Sequence, residues 1–142
     1  MLYSNYLKGV RKCPFCALNK NEIIKENKSA MLILAKAPYT KDHLIIVPKR
    51  HVLFLEALTK REKEDVDNLV YFAMRKIHNK YGDASILYRE GNKKKIGKSI
   101  DHIHYHIIPN LRIGAVDINL NKRIILDEKD YLKLIEKMKK EM

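Results

Sequence analysis

The chain has 142 residues, of which 46% are hydrophobic and 32% are charged, a balance typical of one folded domain over 1–142 and not of a disordered or fibrous protein. No apolar run approaches the roughly 18 residues of a membrane span, and the start lacks the apolar region of a secretory signal, so we expect a cytoplasmic protein without membrane attachment. The formal net charge of +12 predicts a surface that attracts anions such as nucleotides or nucleic acid, although solvated lysine faces explain the same excess.

Four short segments have the composition of β-strands. Residues 30–34 and 43–47 are apolar, are rich in β-branched side chains and follow each other closely, which predicts neighbouring antiparallel strands. Residues 84–88 predict another strand. Residues 100–108 predict the last one, and Pro109 ends it because proline has no N–H to donate to a ladder.

Two helices are also predicted. Thr59 and Glu62 form a capping-box pattern, in which the side chain of each accepts a hydrogen bond from the backbone N–H of the other. The apolar stripe that follows comprises Val66, Leu69, Val70, Ala73, Met74 and Ile77. Gly82 is expected to end this helix. Residues 127–142 predict the second helix, because they begin with acidic residues and end with lysines, as a helix dipole favours.

The expected fold is α+β: a twisted, mainly antiparallel sheet of about five strands with one long helix and a C-terminal helix packed against it.

Three alternating histidines mark the last predicted strand. Because side chains alternate between the faces of a strand, His102, His104 and His106 are predicted to share one face. Burying three imidazoles without partners is costly, which disfavours a purely structural role. Two chemistries use such a row. Neutral imidazoles hold catalytic zinc with an open water position, or one imidazole attacks phosphorus and later leaves from the phosphoramidate.

Residues 102–109, His-Ile-His-Tyr-His-Ile-Ile-Pro, resemble the motif of the histidine-triad (HIT) superfamily of nucleotide hydrolases and transferases. Residues 42–51 resemble the family's upstream strand with its Pro-Lys-x-His ending, and residues 13–16, Cys-Pro-Phe-Cys, resemble the C-x-x-C of many microbial members. The resemblance covers roughly residues 13–110. It implies a HIT-like fold and a homodimer.

The resemblance also implies roles for four residues. His104 matches the middle histidine, which attacks the α-phosphate and forms a nucleotidyl-histidine that water or another acceptor resolves. His106 matches the third histidine and is expected to position the phosphate and stabilise its developing charge. Ser99 matches a hydroxyl that donates to the phosphate or leaving group, with a surface serine as the alternative. His43 matches a position that orients the triad, and a histidine that opens a strand has a structural role as its alternative.

Substrate binding is assigned to Lys98, Arg89 and His102. Lys98 and Arg89 stand where family members commonly have glutamine and asparagine, and both residue types also bind phosphate. The lysines at 93–95 either hold distal phosphates or form a solvated loop. The tail after the triad resembles that of dinucleoside polyphosphate phosphorylases or hydrolases. Diadenosine polyphosphates therefore stand beside adenosine phosphoramidates as expected purine nucleotide substrates, with water or inorganic phosphate as the acceptor.

A structural zinc is the cofactor that the resemblance implies. Cys13, Cys16, His51 and His102 resemble the Cys₂His₂ site of the C-x-x-C subset. Four protein ligands close a tetrahedral site, so the metal would stabilise structure rather than activate water. Thioredoxin-like redox chemistry is the competing use of a C-x-x-C, but no strand-to-helix context surrounds it.

Two rival functions stay open at the level of sequence. One is a metal-dependent hydrolase in which the triad itself binds catalytic zinc. The other is a non-catalytic nucleotide-binding or nucleic-acid-binding regulatory module, whose binding would weaken steeply with salt. The chain carries no recognisable appended nucleic-acid module, so nucleic acid is not the favoured partner.

Overall fold

The computed structural model describes residues 1–10, 12–91, 100–112 and 123–142. Within them, five strands form one antiparallel sheet in the order β1-β2-β3-β5-β4. The strands are β1 (Ile23–Glu26), β2 (Ala30–Leu34), β3 (Leu44–Pro48), β4 (Ser85–Tyr88) and β5 (Tyr105–Ile108). The helices are α1 (Tyr3–Lys8), α2 (Lys60–Tyr81) and α3 (Glu128–Glu141). This architecture confirms the predicted α+β fold with a long helix and a C-terminal helix.

The central strands are buried on both faces of the sheet. On the first face, β2 and β3 present leucine and isoleucine side chains to α2 and α3, together with the buried Tyr131 and Ile135 of α3. On the second face, Met31, Ile33 and Ile45 pack with Phe15 from the N-terminal segment. Because successive side chains of a strand point to opposite faces, the sheet has one hydrophobic core on each face. The second core lies on the side of the sheet that carries His106, because Ile45 is the register partner of His106 and paired residues share a face.

The last strand is shorter than predicted. Strand β5 begins at Tyr105, whereas the sequence pattern predicts a strand from residue 100. Before β5 the chain bonds to the loop after β3: the backbone N–H of Ile103 donates to Val52 O, and the His102 ring is hydrogen-bonded to Pro48 O at 2.8 Å. Since the residues before 105 lie outside the strand, the period-two rule does not place His102 beside the other two histidines.

Helix α2 has the predicted ends. The Thr59 hydroxyl accepts from the backbone N–H of Glu62, whose carboxylate accepts in turn from the Thr59 N–H. Gly82 ends the helix in the left-handed conformation, at φ +76°, which glycine adopts without a steric penalty. The apolar stripe of α2 packs on β2, β3 and β5 and so supports the strand that carries His106.

The N-terminal residues meet the segment just before α3, beside the second core. Leu2 and Ile124 form an isolated antiparallel bridge, the Tyr3 N–H donates to Arg123 O, and the Ile125 N–H donates to Met1 O. This contact brings Tyr3 and Arg123 to one place. Among the described residues, no helix is both long enough and apolar enough to cross a membrane.

Candidate active site and metal-binding group

Three buried histidines form one cluster. His106 lies in β5, His104 directly precedes that strand, and His43 directly precedes β3. The ring centroids of His104 and His106 are 4.7 Å apart, and those of His43 and His106 are 5.0 Å apart. The pairing of β3 with β5 therefore brings together residues that are 63 positions apart in the chain.

The hydrogen bond of His104 determines its tautomer. The Nδ1 atom of His104 lies 2.7 Å from the backbone carbonyl oxygen of His102. A carbonyl only accepts, so Nδ1 carries the proton and donates it. The neutral ring then has its lone pair on Nε2, which is the form of imidazole that attacks an electrophile.

A chain of hydrogen bonds determines the tautomers of the other two rings. The backbone N–H of Tyr39 donates to His43 Nδ1 at 3.1 Å, so the proton of neutral His43 lies on Nε2. That Nε2–H donates to His106 Nδ1 at 2.8 Å. Neutral His106 therefore carries its own proton on Nε2, as a donor available to a phosphoryl oxygen.

Burial keeps these two imidazoles neutral. It lowers the pKa of His43 to about 3, with the positive charge of Arg123 as the next cause. Burial also lowers the pKa of His106 well below the ordinary value, and charge on His104, His43, Arg89 or Arg123 disfavours its protonation further. The donor-to-acceptor chain through His43 and His106 thus holds at neutral pH.

A cavity opens beside this cluster on the second face of the sheet. His104 and His106 line it, and apolar side chains of the second core form part of its wall. Three cations also line it, namely Lys36, Arg89 and Arg123, and no carboxylate does among the described lining residues. Lys36 is paired with Glu22 at 3.8 Å. The cavity therefore combines cationic side chains with an imidazole whose Nε2 has a lone pair, an arrangement that favours an anionic ligand.

Two cysteines and two histidines form a second group of side chains, namely Cys13, Cys16, His51 and His102. The Nδ1 atom of His102 is 3.4 Å from Cys13 Sγ, 3.5 Å from Cys16 Sγ and 3.2 Å from His51 Nδ1. Cys16 Sγ is 3.3 Å from His51 Nδ1, and all four ligand atoms lie within 4.8 Å of one another. We call these four residues the Cys₂His₂ group.

The Cys₂His₂ group fits a tetrahedral zinc ion. Zinc–sulfur and zinc–nitrogen bonds in a tetrahedron separate the ligand atoms by about 3.3 to 3.8 Å, close to the separations present. His102 Nε2 donates to Pro48 O, which leaves the Nδ1 lone pair for a metal. Burial lowers the pKa of His102 and so favours the neutral, metal-binding form.

The Cys₂His₂ group is joined to the histidine cluster through two contacts. His102 supplies both a ligand atom and the carbonyl that orients His104. Phe15, between the two cysteines, packs edge-on against the rings of His102 and His104, with centroid distances of 5.7 and 4.9 Å. A metal on this group would therefore hold the backbone that orients His104.

The structure separates the residues expected at the site into three sets. His43, His104, His106 and Arg89 meet at the cavity. His102 is not among the residues that line the cavity: one of its ring nitrogens is hydrogen-bonded to Pro48 O and the other belongs to the Cys₂His₂ group, and its substrate-binding role stays a prediction. Ser99, Lys98 and the lysine run at 93–95 lie outside the described residues.

Sequence reasoning missed three contributors. Tyr39 stacks on His43 with a centroid distance of 5.6 Å and supplies the N–H that orients it, and its position four residues before His43 was the available signal. Arg123 and Tyr3 also line the cavity. No local sequence pattern predicts either of them, because the contact between the N-terminal residues and the segment before α3 places them there.

Comparisons with known proteins find similar chains and similar folds. The HIT domain family model matches residues 17–112. The adenosine 5'-monophosphoramidase hnt1 of Schizosaccharomyces pombe is 28% identical over 101 residues, which cover 68% of this chain and 73% of that protein. The bis(5'-adenosyl)-triphosphatase of Saccharomyces cerevisiae is 30% identical over 96 residues, which cover 67% of this chain and 47% of that protein. A crystal structure of a Zn-bound histidine triad family protein from Mycobacterium smegmatis superposes with a TM-score of 0.59 at 20% identity, covering 97% of this chain and 91% of the other.

Proposed function

Because the chain belongs to the HIT domain family, we propose that it is a hydrolase or transferase that cleaves purine nucleotide conjugates at the α-phosphate through a covalent nucleotidyl-His104. It is an enzyme of this family, and the relatives described above are named as a monophosphoramidase and a dinucleoside triphosphatase. Their names support two substrate classes: adenosine phosphoramidates and diadenosine polyphosphates.

One observation carries the proposal: the hydrogen bond from His104 Nδ1 to the His102 carbonyl. It leaves a lone pair on His104 Nε2, and His104 lines the cavity to which Arg89 and Arg123 also contribute. In the first step a bond forms between Nε2 and the α-phosphorus while the bond from phosphorus to the leaving group breaks. The electron pair of that bond departs with the leaving group, and an amine leaving group also takes up a proton from solvent.

The second step releases the nucleotide. Water or inorganic phosphate attacks the α-phosphorus, the phosphorus–nitrogen bond breaks, and its electron pair returns to His104 Nε2. With water, the attacking molecule loses a proton to solvent and the product is a nucleoside monophosphate. With inorganic phosphate, the product is a nucleoside diphosphate.

His106 and the cavity cations stabilise charge in both steps. The Nε2–H of His106 is a donor for a phosphoryl oxygen that gains negative charge in the transition state. Arg89 lines the same cavity and contributes a positive charge. His43 acts as a positioning residue, because it touches His106 and reaches the phosphate only through it.

We also propose that the Cys₂His₂ group holds a structural zinc ion in a cytoplasmic protein. Two thiolates and two neutral imidazoles are a donor set that zinc prefers, and the thiols of Cys13 and Cys16 persist in a reducing compartment. Four protein ligands leave no open position, so bound zinc would contribute folding energy. A catalytic zinc on the triad is not favoured, because His102 belongs to the Cys₂His₂ group and His106 accepts from His43 at Nδ1 and carries its own proton on Nε2. Of the three triad rings, His104 then offers the one lone pair.

We propose a homodimer that forms along β4. This strand lies at the edge of the sheet, and its Ile86 side chain is exposed. Leu53 and Phe54 are exposed near the end of β4, where the Leu55 N–H donates to Glu90. Among the described residues no strand pairs with the outer side of β4, and such an edge beside exposed apolar side chains favours pairing with a second copy.

Turnover by the wild-type protein and a His104→Ala variant tests the proposed function. Each protein is incubated with an adenosine phosphoramidate and, separately, with diadenosine tetraphosphate, with and without inorganic phosphate, and the products are separated by chromatography. His78→Ala is the matched control, because His78 is an exposed histidine near the end of α2.

We expect wild-type protein and the His78 variant to release AMP, or ADP where phosphate is the acceptor, and the His104 variant to release neither. Undiminished turnover in the His104 variant would contradict the covalent mechanism. Wild-type protein that turns over neither substrate but binds nucleotide would favour the binding-module alternative.

A further inference from the structure

Arg123, in the segment before α3, lines the cavity of the histidine cluster although it lies outside the triad motif. It follows the triad by 17 residues, and its backbone pairs with the N-terminal residues through the Tyr3 N–H. This contact places its side chain in the wall of the cavity that His104 and His106 line. The side chain is partly buried.

Described contacts hold the guanidinium in place. Its central carbon lies 4.2 Å from the ring centroid of Tyr39 and 4.9 Å from that of Tyr3. Its Nη1 atom donates to Ala37 O at 3.0 Å. Ring faces and a carbonyl hold a guanidinium in one orientation.

At neutral pH Tyr3 is uncharged and Arg123 is positively charged. Burial raises the pKa of Tyr3 to about 12, so its ring remains neutral beside the cation. Burial lowers the pKa of Arg123, whose ordinary value lies far above neutrality, and the guanidinium stays charged. The field of Arg123 reaches the histidine cluster, where it disfavours protonation of His43 and His106.

We propose that Arg123 binds the phosphate group that follows the α-phosphate, so that the site selects nucleotides whose leaving group is itself a phosphate anion. The preferred substrate class is then nucleoside polyphosphate conjugates, such as dinucleoside polyphosphates. This inference rests on the proposed function and adds to it a specificity-determining residue.

The chemistry of the leaving group supports a preference for polyphosphate substrates. When the bond from the α-phosphorus to a bridging oxygen breaks, its electron pair stays on the departing phosphate, and a fixed guanidinium stabilises the negative charge that develops there. An amine leaving group instead requires a proton on nitrogen. His43 and His106 are neutral here, and a nearby guanidinium disfavours a cationic leaving group.

Arg123→Met is the variant that tests the proposal, because methionine keeps an unbranched apolar stem and removes the charge. Arg75→Met is the matched control, since Arg75 is exposed on α2 and its loss changes the net charge equally. The ratio of kcat/KM for diadenosine tetraphosphate to that for an adenosine phosphoramidate is measured in each protein. We expect the ratio to fall about 10- to 100-fold in Arg123→Met, the loss of one or two charged hydrogen bonds, and to stay unchanged in Arg75→Met.

Arg123→Lys distinguishes charge from shape, and we expect it to recover part of the ratio because lysine restores charge without the planar fork. An unchanged ratio in Arg123→Met would overturn the proposal. If kcat/KM falls equally for both substrates, Arg123 has a structural role, and if neither value falls, Arg123 does not contribute to the site.

Binding of inorganic tripolyphosphate, measured by calorimetry, separates this proposal from the proposed function. If wild-type protein turns over neither nucleotide, the proposed function fails, and the calorimetric comparison still tests Arg123. Binding that weakens about tenfold or more in Arg123→Met, but not in Arg75→Met, would support the anion site. Equal binding in all three proteins would refute it.

Discussion

Acid should destabilise the folded protein through His43, and a His43→Gln variant isolates this effect. His43 is fully buried, between the Tyr39 ring, the His106 ring and the charge of Arg123. Its Nε2–H donates to His106, and the amide nitrogen of glutamine supplies an N–H at similar reach. Glutamine does not titrate, so the variant keeps a donor and loses the proton-binding site.

The magnitude follows from the pKa of His43, which burial lowers from 6.5 to about 3. Between these values the unfolded chain binds a proton at this residue and the folded chain does not. Stability from neutral His43 is therefore present above the unfolded pKa and is lost as pH falls. Linkage gives a loss of about 2.5 kcal/mol from this residue between about pH 7 and about pH 4.5.

Denaturant unfolding of both proteins at the two pH values measures the loss, with metal content held equal. We expect the free energy of unfolding of wild-type protein to fall about 2.5 kcal/mol further than that of His43→Gln over this range. His106 and the Cys₂His₂ group are present in both proteins, so their contributions cancel in the comparison. Equal losses in the two proteins would show that His43 is not buried in its neutral form and would refute the reasoning.

Three further changes test separate parts of the structure. Cys16→Ser should weaken zinc binding at least tenfold and lower the thermal midpoint, because it removes a thiolate ligand, and unchanged zinc content after dialysis would contradict the metal site. Thr59→Ala should cost about 1 kcal/mol in chemical denaturation, because it removes the hydroxyl that caps α2, and no loss would show that the cap is not stabilising. Ile86→Lys should shift the protein from dimer towards monomer in light scattering, since it places a charge on the edge strand, and an unchanged mass would exclude β4 from the interface.

Local sequence patterns predict the elements whose causes are local. The Thr59–Glu62 capping box and Gly82 mark the ends of α2 because both act within a few residues of the helix termini. Strand β2 was predicted at its observed bounds, since five buried apolar residues in succession require burial on both faces. These signals do not depend on the rest of the fold.

Tertiary contacts determine what the sequence could not predict. Strand β5 begins late because His102 and Ile103 bond to the loop after β3. Helix α1 has no side-chain cap and no acidic residue in its first turn, and its first residue is bound through the backbone of Arg123. The triad motif predicts the histidine cluster, but the place of Arg123 depends on the contact of the N-terminal residues with the segment before α3.

The stereochemical course at the α-phosphorus tests the central claim most directly. A substrate with one chiral phosphorothioate at that position is hydrolysed in isotopically labelled water, and the configuration of the product is determined. Attack by His104 followed by attack of water inverts the configuration twice, so the account predicts net retention. Net inversion would mean that water displaces the leaving group in a single step, and it would contradict a covalent nucleotidyl-His104.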